Sequence, residues 1–111
     1  MIDKISEIAQ GYVEETNVDY VGLWQIIIRV RHELEIVERV AVKKAVLMII
    51  RELLAAGLEA VTLRPRAPVR VGWENQSVEY VLDRISREWD VLGRDPNPGE
   101  IVWFDQKREL R

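Results

Sequence analysis

Only one histidine, His32, offers the chain a neutral-pH general base. It stands close to Glu33 and Glu35, an arrangement in which a carboxylate could orient the imidazole ring. The chain has no cysteine and no second histidine, so a multi-histidine or cysteine-rich metal site within one chain is excluded. We interpret His32 as a surface or boundary residue, and we predict a protein that is not an enzyme, with no catalytic residue, no metal site and no cofactor.

The acidic clusters have simple structural interpretations. Glu14, Glu15 and Asp19 place negative charge close to a predicted helix start, where the helix dipole favours it. The segment Asp95-Pro-Asn-Pro-Gly99 offers oxygen ligands but lacks the spacing of a calcium loop, and it is typical of a turn.

Basic residues are concentrated in the middle of the chain. The net charge is −3 overall, but it is −5 over residues 1–38, +5 over 39–72 and −3 over 73–111. An acidic protein is not generally attracted to nucleic acid, whereas a basic middle leaves a local anionic partner open. The candidate contacts to an anion or nucleic acid are Lys43, Lys44, Arg64, Arg66 and Arg70. Charge and proline in a hairpin also protect a strand edge from aggregation, which is the alternative explanation.

Length and composition indicate one globular domain over residues 1–111. Hydrophobic residues make up 48% of the chain and charged residues 32%, which is not a disordered composition. The first residues alternate charged and apolar types, unlike a signal peptide, and the run Ala45–Ile50 is far shorter than the ~20 residues that span a bilayer. We therefore expect a cytoplasmic protein with no membrane contact.

Apolar residues recur at steps of three and four through most of the chain, which predicts four helices, over about residues 3–14, 18–35, 38–56 and 77–92. The first helix is expected to pack loosely over residues 1–16, because Gly11 weakens it by roughly 1 kcal/mol relative to alanine. The expected caps are Thr16 or Asn17 before the second helix, Asn75 or Ser77 before the fourth, and Gly57 and Gly93 after the third and fourth.

After Gly57 the apolar spacing changes to every second residue. Val61 and Leu63, and then Val69 and Val71, alternate with polar residues, with a proline-rich turn between the two pairs. This pattern predicts a β-hairpin whose valines and leucine pack inward and whose arginines are exposed. Residues 100–105 predict a further strand, followed by a flexible tail over 106–111. The fold class is therefore α+β, mainly helical, with a small antiparallel sheet.

The strand over residues 100–105 has apolar side chains on both faces. A small sheet with helices on one side needs a second cover for such a strand, which the fourth helix, a partner chain or a second copy could supply. We favour self-association. The candidate interface residues are Trp73, Ile101 and Trp103.

Three predicted helices are followed by a basic hairpin, and the last of these helices ends in Leu-Leu-Ala-Ala-Gly-Leu58. This order of elements resembles a winged-helix domain over residues 18–72. In that family the hairpin is a wing that lies along a nucleic-acid backbone. The sequence departs from the family pattern, because residues 38–56 form one uninterrupted predicted helix with few base-reading side chains. The segment from Gly93 to Asp105 is also similar to small bacterial proteins of uncharacterised function.

Two functions follow as hypotheses. The first is a non-enzymatic protein-interaction or regulatory module that forms a homodimer or binds a protein partner. The second is a DNA-binding winged-helix protein that uses its basic hairpin.

Overall fold

The computed structural model describes residues 3–107 and confirms the expected α+β, mainly helical fold class. Its elements, in chain order, are α1 (Lys4–Glu15), β1 (Val21–Gly22), α2 (Leu23–Glu33), α3 (Arg39–Ala55), β2 (Leu58–Leu63), β3 (Arg70–Gly72), α4 (Val78–Leu92) and β4 (Trp103–Gln106). None of the helices in this described range is both long enough and apolar enough to cross a membrane. The expected tail falls outside the described residues from position 108 onward, and Gln106 belongs to β4.

The first helix packs more tightly than its sequence indicates. Its apolar face packs against α3, and Ile8, Ala9 and Tyr12 are buried. The side chain of Asp3 caps α1 by accepting a hydrogen bond from the Ser6 backbone N–H at 2.8 Å. Burial of this face therefore outweighs the helix weakening expected from Gly11.

The second helix starts later than the predicted residue 18. Thr16 and Asn17 end α1 instead of capping α2, since their side chains donate to the carbonyls of Val13 and Glu14. Val21 and Gly22 are extended because they pair with β4. Helix α2 then begins at Leu23, and the Gln25 side chain accepts a hydrogen bond from the Gly22 N–H at 2.6 Å.

Helices α3 and α4 follow the predicted bounds closely. Glu38 caps α3 by accepting hydrogen bonds from the next turn, and Ser77 caps α4. Gly57 and Gly93 both have positive φ just beyond these helices, as expected of left-handed caps. The described core centres on α3, which buries Val42, Ala45, Val46, Ile49, Ile50 and Leu53.

The four strands form an antiparallel sheet in the order β1-β4-β2-β3. Val21, Phe104 and Ala60 are cross-strand neighbours that are fully buried in the hydrophobic core with the helices. The predicted hairpin is present as β2 and β3, but Val69 lies in its exposed turn instead of packing inward. Strand β4 begins at Trp103 rather than at residue 100, because Ile101 has a φ of 69° that is incompatible with a strand.

Candidate functional site

The sheet face turned away from the core cluster is covered by its own side chains. Its cross-strand row is Gly22, Trp103, Val61 and Gly72. Val61 is fully buried, and a Cβ placed on Gly22 would lie 2.6 Å from Trp24 Nε1 and 3.2 Å from Trp103 Cζ3. The glycine thus leaves room for two indole rings that cover this face. Trp24 and Trp103, both half-buried, thus supply part of the second cover that the sequence predicted from the fourth helix, a partner chain or a second copy.

Trp73 lies in the core and is only 6% exposed, so the structure does not place this candidate interface residue on a surface. Its indole N–H donates to Thr62 Oγ1 at 3.0 Å, and the Arg84 guanidinium lies 3.7 Å from the ring centroid. The residue follows β3 directly, and its backbone N–H donates to the Ala60 carbonyl. Its side chain therefore turns inward beneath α4 rather than outward.

Arg70, a candidate nucleic-acid contact, is held within the molecule by carboxylates instead of being exposed. Its Nε donates to Asp105 Oδ2 at 3.0 Å, and its Nη2 donates to Glu59. The three residues come from β3, β4 and β2 and alternate onto the same face of the sheet. This ion-pair cluster links three strands, and its guanidinium is already occupied.

The other basic candidates are divided between paired and exposed positions. Lys43 Nζ donates to Asp90 Oδ1 at 2.7 Å and to the Ser86 carbonyl at 3.1 Å, which ties α3 to α4. Lys44, Arg64 and Arg66 are exposed, the two arginines in the hairpin turn. The five residues therefore do not form one continuous basic surface.

His32 is exposed near the end of α2. Within residues 3–107, no group of three or more His, Asp or Glu side chains is arranged to hold a metal ion.

The loop between α4 and β4, residues 93–101, is organised by ion pairs. Arg94 and Glu100 form two parallel hydrogen bonds, of 2.7 and 3.1 Å. Asp95 accepts from Arg31 of α2 at 2.9 Å, and the Gly93 carbonyl accepts from Arg39 of α3 at 3.2 Å. A loop that the sequence shows only as a turn is thus attached to two helices.

The Glu100 carboxylate is the centre of this loop. Hydrogen bonds from Arg94 and from the Asn97 backbone N–H lower the pKa of Glu100 from an ordinary 4.5 to about 2. The carboxylate therefore stays ionised at neutral pH and keeps both ends of the loop together.

Ile101, the next residue, adopts an unusual backbone conformation. Its φ is 69°, and the Val102 N–H donates to the Glu100 carbonyl at 2.9 Å, as in a three-residue γ-turn. A β-branched side chain at positive φ is disfavoured, by roughly 1–3 kcal/mol. Such a conformation persists only where its surroundings enforce it, and the Arg94–Glu100 pair provides that constraint.

Ile101 forms one wall of a surface groove of about 410 Å³ between α4 and this loop. We call it the α4–loop groove, and its lining residues are Arg87, Glu88, Val91, Leu92, Glu100 and Ile101. Val91, at its edge, is 87% exposed. The groove is mainly apolar and has charges of both signs at its rim.

A second groove, of about 390 Å³, lies between α3 and α4. We call it the α3–α4 groove, and its lining residues are Lys44, Leu47, Met48, Arg51, Leu82, Asp83 and Ser86.

Sequence reasoning singled out Ile101 and Lys44 but did not place them in grooves. Val91 was a signal that the sequence did contain, because it lies off the apolar stripe of α4, on the face where an amphipathic helix normally carries polar residues. Comparisons with protein families, curated proteins and solved structures found no significant match for this chain.

Proposed function

We propose that this protein is a non-enzymatic interaction module that self-associates through the α4–loop groove. The observation that supports the proposal is an apolar groove bounded by an almost fully exposed Val91 and by Ile101 in a disfavoured conformation. The exposed Val91 side chain adds little to the stability of the folded monomer, and the Ile101 backbone is strained although its side chain packs partly against the core. Other valines of this chain are equally exposed, but Val91 borders an apolar groove rimmed by polar residues, which is the kind of surface that marks an interaction site.

A second copy of the chain is the occupant that suits this groove. Val91 projects beside a recess formed by Leu92 and Ile101, so a twofold axis would place each valine against the other copy's recess. The rim carries the cation Arg87 and the anion Glu100, which already pair with Asp83 and Arg94 of the same chain. The rim therefore places no unpaired charge opposite a like charge when two identical surfaces meet.

The proposed dimer is expected to be weak. A stable interface typically buries about 800 Å² per partner, and the groove with its rim supplies only part of that area. We therefore expect a Kd on the order of micromolar or weaker, which suits a regulatory contact.

A cysteine-free chain also suits a reducing compartment, which supports a cytoplasmic location.

The test is sedimentation equilibrium of the wild type and two matched variants. Val91→Asp introduces a charge into the groove, and we expect it to weaken dimerisation at least about tenfold through the cost of burying an unpaired carboxylate. Val18→Asp is the control, because Val18 is 90% exposed and lies outside the groove. A wild type that stays monomeric up to millimolar concentration, or a Val91→Asp variant that dimerises like the control, would contradict the proposal.

A third variant separates binding from folding. Ile101→Gly removes the groove wall but places at positive φ the residue that tolerates it best. Relief of the strained backbone offsets part of the core packing lost with the isoleucine side chain, so we expect a variant that stays folded but dimerises more weakly.

DNA binding is the alternative function. It is favoured by the exposed Arg64 and Arg66 in the hairpin turn and by the element order of α1 to β3, in which three helices precede the hairpin. Arg70 and Lys43 already have intramolecular partners, so only Lys44 and the two turn arginines remain from the five candidate residues.

Duplex binding would be steeply salt-dependent and would weaken in an Arg64→Ala, Arg66→Ala double variant. Each lost phosphate contact would reduce the slope of the logarithm of the binding constant against the logarithm of the salt concentration by about 1. Arg87→Ala provides the control, because this exposed arginine pairs with Asp83 on α4. Absence of duplex binding at low salt would eliminate this alternative.

A further inference from the structure

The α3–α4 groove combines an apolar floor with cations along one bank. Leu47 and Leu82 are half-buried at its base, and Met48 is 48% exposed between the two helices. The bank on α3 is formed by Lys44 and Arg51, which lie seven residues and therefore about 10 Å apart along one helix face.

These two cations are available for a ligand. Among the described residues, neither Lys44 nor Arg51 has an ion-pair partner, whereas the neighbouring Lys43 is occupied by Asp90. On the opposite bank, Asp83 is neutralised by Arg87, whose Nε donates to Asp83 Oδ2 at 2.8 Å. The groove therefore has an uncompensated positive charge on one side only.

We propose that the α3–α4 groove binds an acidic amphipathic helix from a partner protein. An apolar side chain of that helix would rest on Met48, between two carboxylates that pair with Lys44 and Arg51. Methionine suits this role because its flexible thioether adapts to differently shaped apolar ligands. The arrangement corresponds to the helix-in-groove mode, in which apolar anchors give affinity and flanking charges give orientation.

The lining of the groove favours a peptide over a nucleic acid. Nucleic-acid binding depends on many phosphate contacts, whereas this bank offers two cations and the facing bank an aspartate. The floor presents aliphatic and thioether groups with no aromatic ring on which a base could stack. No residue of this groove belongs to the α4–loop groove, so the inference does not depend on dimerisation.

The probe is a fluorescein-labelled amphipathic helical peptide of alanine, leucine and glutamate, with two glutamates seven residues apart flanking a leucine stripe. Fluorescence anisotropy with the full chain should give saturable binding, with a Kd on the order of 100 µM or tighter. Lys44→Glu combined with Arg51→Glu should weaken binding at least about tenfold, because both charge contacts become repulsive. A peptide with glutamine in place of glutamate should also bind at least about tenfold more weakly, and added salt should reduce the difference.

The matched control is Arg64→Glu combined with Arg66→Glu, which makes the same change in net charge at the hairpin turn. Circular dichroism establishes that both double variants are folded, which is expected since all four side chains are exposed. The proposal is overturned if the wild type shows no saturable binding or if both double variants lose affinity equally. It is also overturned if Lys44→Glu combined with Arg51→Glu weakens binding to duplex DNA but leaves peptide binding unchanged.

Discussion

Gly22 occupies a position where the chain has no space for a side chain. Its φ of −92° is open to any residue, so backbone freedom is not the reason for a glycine here. The reason is the close approach of the Trp24 and Trp103 rings to the point where a Cβ would lie. Gly11, by contrast, lies in α1 with only ordinary contacts, at 3.7 and 3.8 Å, from the Arg29 side chain.

The two glycines predict opposite results for the same substitution. Gly22→Ala should destabilise the protein by about 1–3 kcal/mol, because a methyl group would displace a packed indole. Gly11→Ala should stabilise it by about 0.5–1 kcal/mol, because alanine favours the helix and nothing crowds the site. Urea unfolding measures both free energies. A Gly22→Ala variant as stable as the wild type would show that the rings have room to move.

Short elements in this fold depend on side chains for their placement. Two hydrogen bonds join the backbone of strand β2 to the side chain of a single residue, Gln76. The Gln76 amide accepts from the Ala60 N–H at 2.8 Å and donates to the Ala60 and Trp73 carbonyls. This side chain attaches the segment before α4 to the central strand, which sets the position from which α4 crosses α3.

The loop over residues 93–101 depends on the Arg94–Glu100 pair and predicts a specific acid response. The folded-state pKa of Glu100 is lowered to about 2, so its contribution to stability is complete well above the ordinary value of 4.5 that applies to the unfolded chain. It is lost as the pH falls towards about 2. Between these limits, the stability of the wild type should decrease more steeply with acidification than that of Glu100→Gln.

Urea unfolding at neutral pH and at intermediate acidic pH values tests this response. Glu100→Gln should be less stable than the wild type at neutral pH, and the gap should close as the medium becomes acidic. Glu74→Gln is the control, because Glu74 is exposed and lies outside the loop. A gap that is independent of pH would show that the ionised form of Glu100 is not what holds the loop.

At the scale of the whole molecule, periodic patterns predicted the elements and tertiary contacts decided their ends. The stripes of α3 and α4, their caps and the β2–β3 hairpin could be predicted, because each depends on residues close in sequence. Strand β1 could not, since Val21 and Gly22 are extended only by pairing with residues 103–104 at the other end of the chain.

The candidate sites were harder to predict for the same reason. Arg70 looked exposed because it alternates with valines, but its partners Glu59 and Asp105 lie on two other strands. Trp73 looked like a surface residue because it borders a strand, yet α4 covers it. Ile101 and Lys44 were identified as residues, while the grooves that they line arise only when α4 packs beside α3 and the loop closes.

The indole pair around Gly22 gives the protein an internal optical reporter. Two aromatic chromophores held close together in fixed orientation couple their electronic transitions, and such coupling produces paired circular-dichroism bands of opposite sign. Trp24 follows β1, whereas Trp103 begins β4, so this signal would report on the meeting of the two ends of the sequence rather than on helix content.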